Sequence, residues 1–98
     1  GCKKLKAVSI PGGVRKISYR AFEECKKLTT VTLCDGVETI DNLAFYDCTA
    51  LKAIFIPKTV KEIDKSSFSG SDKLTIKAIE NSCAEKFAKK NRIPFVAE

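Results

Sequence analysis

The sequence has no histidine, no methionine and no tryptophan among its 98 residues. The lack of histidine excludes the Ser-His and Cys-His pairs in which an imidazole activates a nucleophile, and it excludes metal sites with imidazole ligands. No apolar run is long enough to cross a bilayer, so we expect no insertion into a membrane. The sequence therefore disfavours histidine-dependent enzymes and proteins with membrane-spanning helices.

The motifs of cofactor and metal sites are missing as well. No Gly-x-x-x-x-Gly-Lys phosphate loop occurs, and Cys2, Cys25 and Cys48 lack the close spacing of structural zinc ligands. Carboxylates such as Glu62 and Asp64 fall on positions that we expect to be exposed, with no pocket beside them to raise a pKa. We predict no catalytic residue, no bound metal and no cofactor, and hence no enzyme.

What the sequence does contain is a 23-residue repeat. Side chains of one type recur at this interval: Cys2, Cys25 and Cys48; Leu5, Leu28 and Leu51; Val14, Val37 and Val60; Ile17, Ile40 and Ile63; Phe22, Phe45 and Phe68. A fixed period of this length indicates a solenoid. A single coil buries too little apolar surface to offset the entropy of ordering it, so the coils must stack and place like residues in columns.

Each coil contains two extended segments and a turn. Leu-x-x-Val-x-Ile-Pro predicts a strand that ends at the proline, and Val-x-x-Ile predicts a shorter second strand. Ala/Ser-Phe-x-x-Cys predicts a helical or 3₁₀ turn that places phenylalanine in the core. The repeated cysteine is interpreted as a buried column, although distance alone would permit a disulfide between adjacent coils. Cys34 stands where the other coils have proline.

The period fails after Phe68, where Lys77 falls at a position that is apolar in the earlier coils. Leu74 and Ile76 predict a last short strand. Ser82 and Glu85 form a capping box that predicts the start of a helix, which we expect to end with Asn91 in a left-handed conformation. We expect Ile93-Pro94-Phe95 to be extended. We divide the chain into one domain, 1–98, with repeats 2–24, 25–47 and 48–70 and a partial repeat and cap at 71–98. Since the chain begins in mid-repeat, we expect it to be the C-terminal part of a longer protein or a mature fragment.

The repeated unit Leu-x-x-Val-x-Ile-Pro-x-x-Val-x-x-Ile-x-x-x-Ala-Phe-x-x-Cys resembles the BspA-like, or treponemal-type, leucine-rich repeat. The resemblance covers residues 2–74, and the segment 81–91 is similar to the terminal helix common in that family. It implies an α/β leucine-rich-repeat solenoid with parallel strands on one side, short turns on the other and a C-terminal capping helix. It further implies a cell-surface or secreted microbial protein that binds host, matrix or other surface proteins.

Solenoids commonly bind partners along the strand-lined face. The outward strand positions include Ala7, and the candidate binding residues on and beside this face are Ser9, Thr30, Thr32, Lys52, Ala53 and Phe55. Phe55 is the one large apolar member, where the other coils have Ser9 and Thr32. We predict that it anchors a protein partner; the alternative is an isolated exposed apolar residue, which is normal on protein surfaces.

Two other functions are open. The chain carries a net charge of +6, and a basic edge would bind an anionic polysaccharide or another polyanion; its residues are Lys3, Lys4, Lys26, Lys27 and Lys73. No aromatic residues are interleaved for base stacking, which argues against nucleic acid, and the interspersed charges are also typical of an ordinary solvated surface. Alternatively, the chain is a spacer that holds another domain away from the cell surface.

Overall fold

A computed structural model describes residues 6–98, so the predictions for Cys2, Lys3, Lys4 and Leu5 lie outside the described residues. The elements in chain order are β1 (Ala7–Ile10), β2 (Lys16–Ile17), β3 (Thr30–Leu33), β4 (Thr39–Ile40), β5 (Ala53–Phe55), β6 (Glu62–Ile63), β7 (Thr75–Ala78), α1 (Cys83–Lys90) and β8 (Phe95–Ala97).

The strands form two parallel sheets. The main sheet has the order β1-β3-β5-β7-β8, and the short sheet has the order β2-β4-β6. Val8 lies opposite Val31, and Val31 lies opposite Ile54, so strand register follows the 23-residue period and keeps the same face inward in successive coils. The predicted solenoid with parallel strands and a C-terminal helix is confirmed.

The residue that stands in place of proline in the second coil, Cys34, adds a hydrogen bond between coils. Cys34 donates its backbone N–H to the carbonyl of Ile10 at 3.1 Å. Pro11 and Pro57 have no N–H to donate at this position. The substitution of cysteine for proline therefore gains a hydrogen bond to the preceding coil.

The far side of each coil consists of hydrogen-bonded turns, and among residues 6–98 the helix is confined to the C-terminal cap. Ala21 donates to Ser18 within the coil, whereas the next N–H, that of Phe22, donates to Ala44 of the following coil at 2.8 Å. Phe45 donates to Ser67 at the same distance. A helical turn would keep these N–H groups within one coil. The turns instead add a third set of bonds that joins one coil to the next.

The phenylalanine column expected from the period is present. The rings of Phe22 and Phe45 have centroids 5.2 Å apart and planes 5° from parallel, and those of Phe45 and Phe68 are 5.4 Å apart and 9° from parallel. Phe45 is fully buried. Identical rings therefore pack face to face along the axis, with Phe45 shielded from water on both sides.

The repeated cysteines of the second and third coils are buried. Cys25 and Cys48 have no exposed surface, and the Cys48 thiol donates to the carbonyl of Phe22 at 3.0 Å. Ser71 occupies the same slot one coil later and donates its hydroxyl to the carbonyl of Phe45 at 2.8 Å. The slot thus takes a small side chain that can donate a hydrogen bond to the coil before it.

The last coil is one residue shorter than the others, between Leu74 and Ile76. Ile54 lies opposite Ile76 and Phe55 lies opposite Lys77, a separation of 22 residues. This explains why the period fails at Lys77, because a one-residue change in register exchanges the two faces of a strand. Ile76 fills the core position and Lys77 turns outward.

Helix α1 caps the stack, as predicted. The Ser82 hydroxyl accepts the N–H of Glu85 at 3.3 Å, and the Glu85 carboxylate accepts the N–H of Asn81. At the other end, the left-handed residue is Arg92 (φ 59°) and not Asn91 (φ −102°). Arg92 donates to Lys89 and Ile93 donates to Ala88, which is the Schellman pattern, and this pattern puts the left-handed residue after the C-cap.

Candidate functional site

The outward side chains of the main sheet form two rows across the coils, which we call the outer face. One row consists of Ala7, Thr30, Ala53 and Thr75; the other consists of Ser9, Thr32, Phe55, Lys77 and Val96. The predicted binding residues Ser9, Thr30, Thr32, Ala53 and Phe55 are therefore brought together on one surface, and Lys52 is exposed beside it.

Phe55 is partly covered by a neighbour that the repeat pattern did not identify. The Lys77 ammonium nitrogen lies 5.2 Å from the centroid of the Phe55 ring, within the range of a cation–π interaction. Val96, which is 45% exposed, follows Lys77 in the same row. The available signal was the one-residue shortening before Ile76, which moves Lys77 from the core to the outer face.

The lysines of the predicted basic edge are only partly grouped. Lys26, Lys27 and Lys73 are exposed, but the coil between Lys27 and Lys73 has Ala50 in the equivalent slot. At about 4.8 Å between coils, Lys27 and Lys73 belong to coils about 10 Å apart. Within residues 6–98 the edge is therefore interrupted.

A groove of about 670 Å³ lies between the short sheet and helix α1. It is lined by Thr39, Ile40, Asp41, Lys61, Glu62, Ile63, Asp64, Lys65, Cys83, Lys86, Phe87, Lys90 and Asn91. The expectation that Glu62 and Asp64 have no pocket beside them is wrong. A helix packs about 10 Å from its neighbour and a strand about 4.8 Å, so replacing a further coil by α1 leaves space beside β6.

Hydrogen bonds lower the pKa of two carboxyl groups in this groove, those of Asp41 and Asp64. The N–H of Asn42, together with Lys16 at 3.3 Å, lowers the pKa of Asp41. The N–H and hydroxyl of Ser66 lower the pKa of Asp64. A general acid or base would need a raised carboxyl pKa, so these shifts do not suit Asp41 and Asp64 to proton transfer near neutral pH.

Cys83 lies at one end of the groove. Its thiol donates to the carbonyl of Lys61 at 3.2 Å, and burial raises its pKa. A reactive cysteine has a lowered thiol pKa, so Cys83 is suited to a structural hydrogen bond and not to nucleophilic attack. Among residues 6–98, no cluster of metal-ligating side chains is present, and none of the helices formed there is long and apolar enough to cross a membrane.

The coil geometry agrees with the comparison against known families. The family model described as BspA type Leucine rich repeat region (6 copies) matches residues 1–90. The chain belongs to the BspA-type leucine-rich-repeat family. No curated protein and no solved structure gave a match.

Membership in the BspA-type family bears on function at a coarse level. Leucine-rich-repeat solenoids are typically non-enzymatic scaffolds that mediate protein–protein interaction, and BspA-type members are often displayed at the surface or secreted. Within residues 6–98, the outer face and the groove beside α1 are surfaces where apolar and charged side chains lie together.

Proposed function

We propose that this chain is an adhesion module of a microbial surface or secreted protein, and that it binds a host, matrix or other surface protein through its outer face. Family membership supports the class of function. The observation that carries the choice of surface is the Phe55–Lys77 pair, which places an aromatic ring and a cation in the same row as the small polar residues Ser9 and Thr32. Aromatic and cationic side chains dominate the energetics of many protein interfaces.

The surroundings of Phe55 favour a protein partner. Ser9 and Thr32 are small and polar, so they permit close approach without supplying much apolar area, and Phe55 and Val96 supply that area locally. Interfaces of this type have an apolar centre with a polar rim. Lys52 and Lys77 would then pair with carboxylates of the partner at the rim.

The test is a binding series against immobilised extracellular-matrix proteins, with Phe55→Ala as the diagnostic variant. We expect a loss of about thirtyfold or more in affinity for any matrix protein that binds, since an interface anchor contributes about 2 kcal/mol or more. Tyr19→Ala is the matched control. Tyr19 is an aromatic residue that is 53% exposed and has a cation beside its ring, with Arg20 Cζ 5.1 Å from the ring centroid, but it is not on the outer face. Unchanged affinity of Phe55→Ala, or equal loss in both variants, would contradict the proposal.

The two alternatives give different results. Binding of a polyanion through Lys26, Lys27 and Lys73 requires retention on a heparin column at moderate salt, with steep salt dependence. A spacer would tolerate replacement of every outward residue of the outer face but would respond to a change in the number of coils. The interruption of the basic edge at Ala50 favours the protein-binding proposal over polyanion binding.

A further inference from the structure

The groove beside helix α1 contains the free edge of a β-strand. β6 is the last strand of the short sheet in residues 6–98. In the preceding coils, the carbonyl of Ile17 accepts from Asp41 and that of Ile40 accepts from Asp64. Ile63 holds the equivalent position in β6, where α1 replaces the coil that would supply the next donor. Its backbone N–H and C=O therefore face the groove that the Ile63 side chain helps to line.

At one end of this edge, a backbone carbonyl already has a hydrogen-bond donor from helix α1 in place of a donor from a further strand. The carbonyls of Arg15 and Glu38 accept backbone N–H groups from the following coil. The equivalent carbonyl, that of Lys61, instead accepts the Cys83 thiol. The helix thus satisfies the first position of the edge and leaves the position of Ile63 for another donor.

The groove is also rimmed by four lysines that form no salt bridge among residues 6–98. Lys86 and Lys90 are one helical turn apart on α1 and lie across the groove from Lys61 and Lys65. Within the described residues the ion pairs are Lys16–Asp41, Arg20–Glu23 and Glu85–Lys89, so none of the four lysines takes part in one.

The acidic side chains of the groove offset this rim only in part, through the electrostatic interaction of Asp64 with Lys65. Asp41 is already paired with Lys16, and Asp64 accepts the N–H and the hydroxyl of Ser66. Glu62 is exposed and has no ion pair among residues 6–98. The groove therefore combines four lysines that form no salt bridge among residues 6–98 with the apolar residues Ile63 and Phe87.

We propose that this groove binds an extended acidic peptide segment, which adds as a fourth strand to the free edge of β6. Main-chain groups of the peptide would pair with Ile63, its inward side chains would contact Ile63 and Phe87, and its carboxylates would pair with the lysines. The eight residues of α1 span about 12 Å, which is the length of about four extended residues. A peptide fits better than an anionic glycan because a glycan has no regular row of amides to match a strand edge.

The probe is a fluorescein-labelled heptapeptide of alternating Glu and Val, capped at both ends. We expect saturable binding by fluorescence anisotropy and amide chemical-shift changes at Ile63 and along α1. Lys86→Glu/Lys90→Glu should weaken binding by about tenfold or more, whereas Lys26→Glu/Lys27→Glu, with the same change in net charge outside the groove, should not. Because new acidic groups near the end of α1 destabilise the helix, Lys61→Glu/Lys65→Glu repeats the test from the opposite wall.

Two further peptides separate strand addition from simple charge attraction. Gln in place of Glu should abolish most of the binding, and N-methylation of the central valines should do so without changing the charge. The proposal is overturned by absence of saturable binding, by equal effects of the groove and control variants, or by full binding of the N-methylated peptide. It is also overturned if a sulfated oligosaccharide shifts the Ile63 amide and the peptide does not. None of these outcomes depends on Phe55, so this site and the outer face are tested separately.

Discussion

The ring of Phe87 in helix α1 meets the ring of Phe68 edge-on, with centroids 6.0 Å apart and planes inclined by 60°. Phe68 is the last member of the phenylalanine column, whose other pairs are nearly parallel. The helix therefore supplies a ring where a further coil would have supplied one. It does so in a different orientation, because a helical side chain approaches the stack from another direction. The core of the solenoid is continuous with the core of its cap.

This relationship predicts the effect of truncating Phe87. Phe87→Ala removes a buried ring and exposes Phe68, so we expect a loss of about 3–5 kcal/mol in the free energy of unfolding, measured by urea denaturation. Phe87→Leu keeps most of the buried area and should lose only about 0.5–1.5 kcal/mol, the contribution of an aromatic pair beyond its area. An equal loss in the two variants would show that ring geometry, and not burial, stabilises the cap.

The repeated side chains allowed much of the fold to be predicted. Phe22, Phe45 and Phe68 recur at one interval because each must pack on the next. Ser82 and Glu85 have the spacing of a capping box, a local motif that can be recognised in the sequence alone. Strand positions, the column and the cap followed from these signals. The outward position of Phe55 followed from strand alternation in the same way.

The features that were not predicted lie where the chain departs from the 23-residue repeat, in the last coil and in the C-terminal cap. The last coil lacks one residue before Ile76, which a fixed 23-residue period does not take into account, and the strand register shows that Lys77 faces outward over Phe55. The groove exists because a helix occupies more width than a strand, which a periodic pattern does not express. Arg92 took the left-handed position expected for Asn91 because the backbone bonds of the Schellman motif fix that position.

Two glycines in the same slot of successive coils should respond oppositely to substitution by alanine. Gly36 has φ +115°, and an added Cβ would lie within contact distance of the backbone of Gly12. Gly36→Ala should therefore destabilise the fold by more than about 1 kcal/mol, since neither the backbone conformation nor the space suits alanine. Gly13 has no atom within 4 Å of an added Cβ, so Gly13→Ala should be neutral or stabilise by up to about 1 kcal/mol. Thermal melts of the two variants check this, and similar melting temperatures would contradict it.

The capping box predicts a specific loss of stability in acid. The Lys89 ammonium at 2.8 Å, together with the N–H of Asn81, lowers the pKa of Glu85 below its ordinary value. A carboxylate whose pKa is lower in the folded state stabilises the fold above its unfolded pKa, and this contribution is lost as the pH falls through the folded pKa. Glu85→Gln should therefore flatten the fall of stability with decreasing pH, followed by urea denaturation at several pH values.

The control for this prediction is Glu38→Gln, which removes an exposed carboxylate outside the cap. It should leave the acid dependence close to that of the unmodified chain. Ser82→Ala tests the other half of the box and should cost about 1 kcal/mol at neutral pH, because the N–H of Glu85 loses its acceptor. Identical pH profiles for Glu85→Gln and Glu38→Gln would show that the Glu85 contacts do not stabilise the folded chain.

The cysteine slot predicts that a hydrogen-bond donor matters more there than sulfur. Cys48 donates to the carbonyl of Phe22, and Ser71 makes the equivalent bond to Phe45. Cys48→Ser should therefore be more stable than Cys48→Ala by about 0.5–1.5 kcal/mol, the net contribution of one hydrogen bond. The Ser71→Cys variant should likewise be more stable than the Ser71→Ala variant. If the serine and alanine variants at position 48 unfold at the same urea concentration, the bond to Phe22 contributes nothing, and the repeated residue is there for its small size alone.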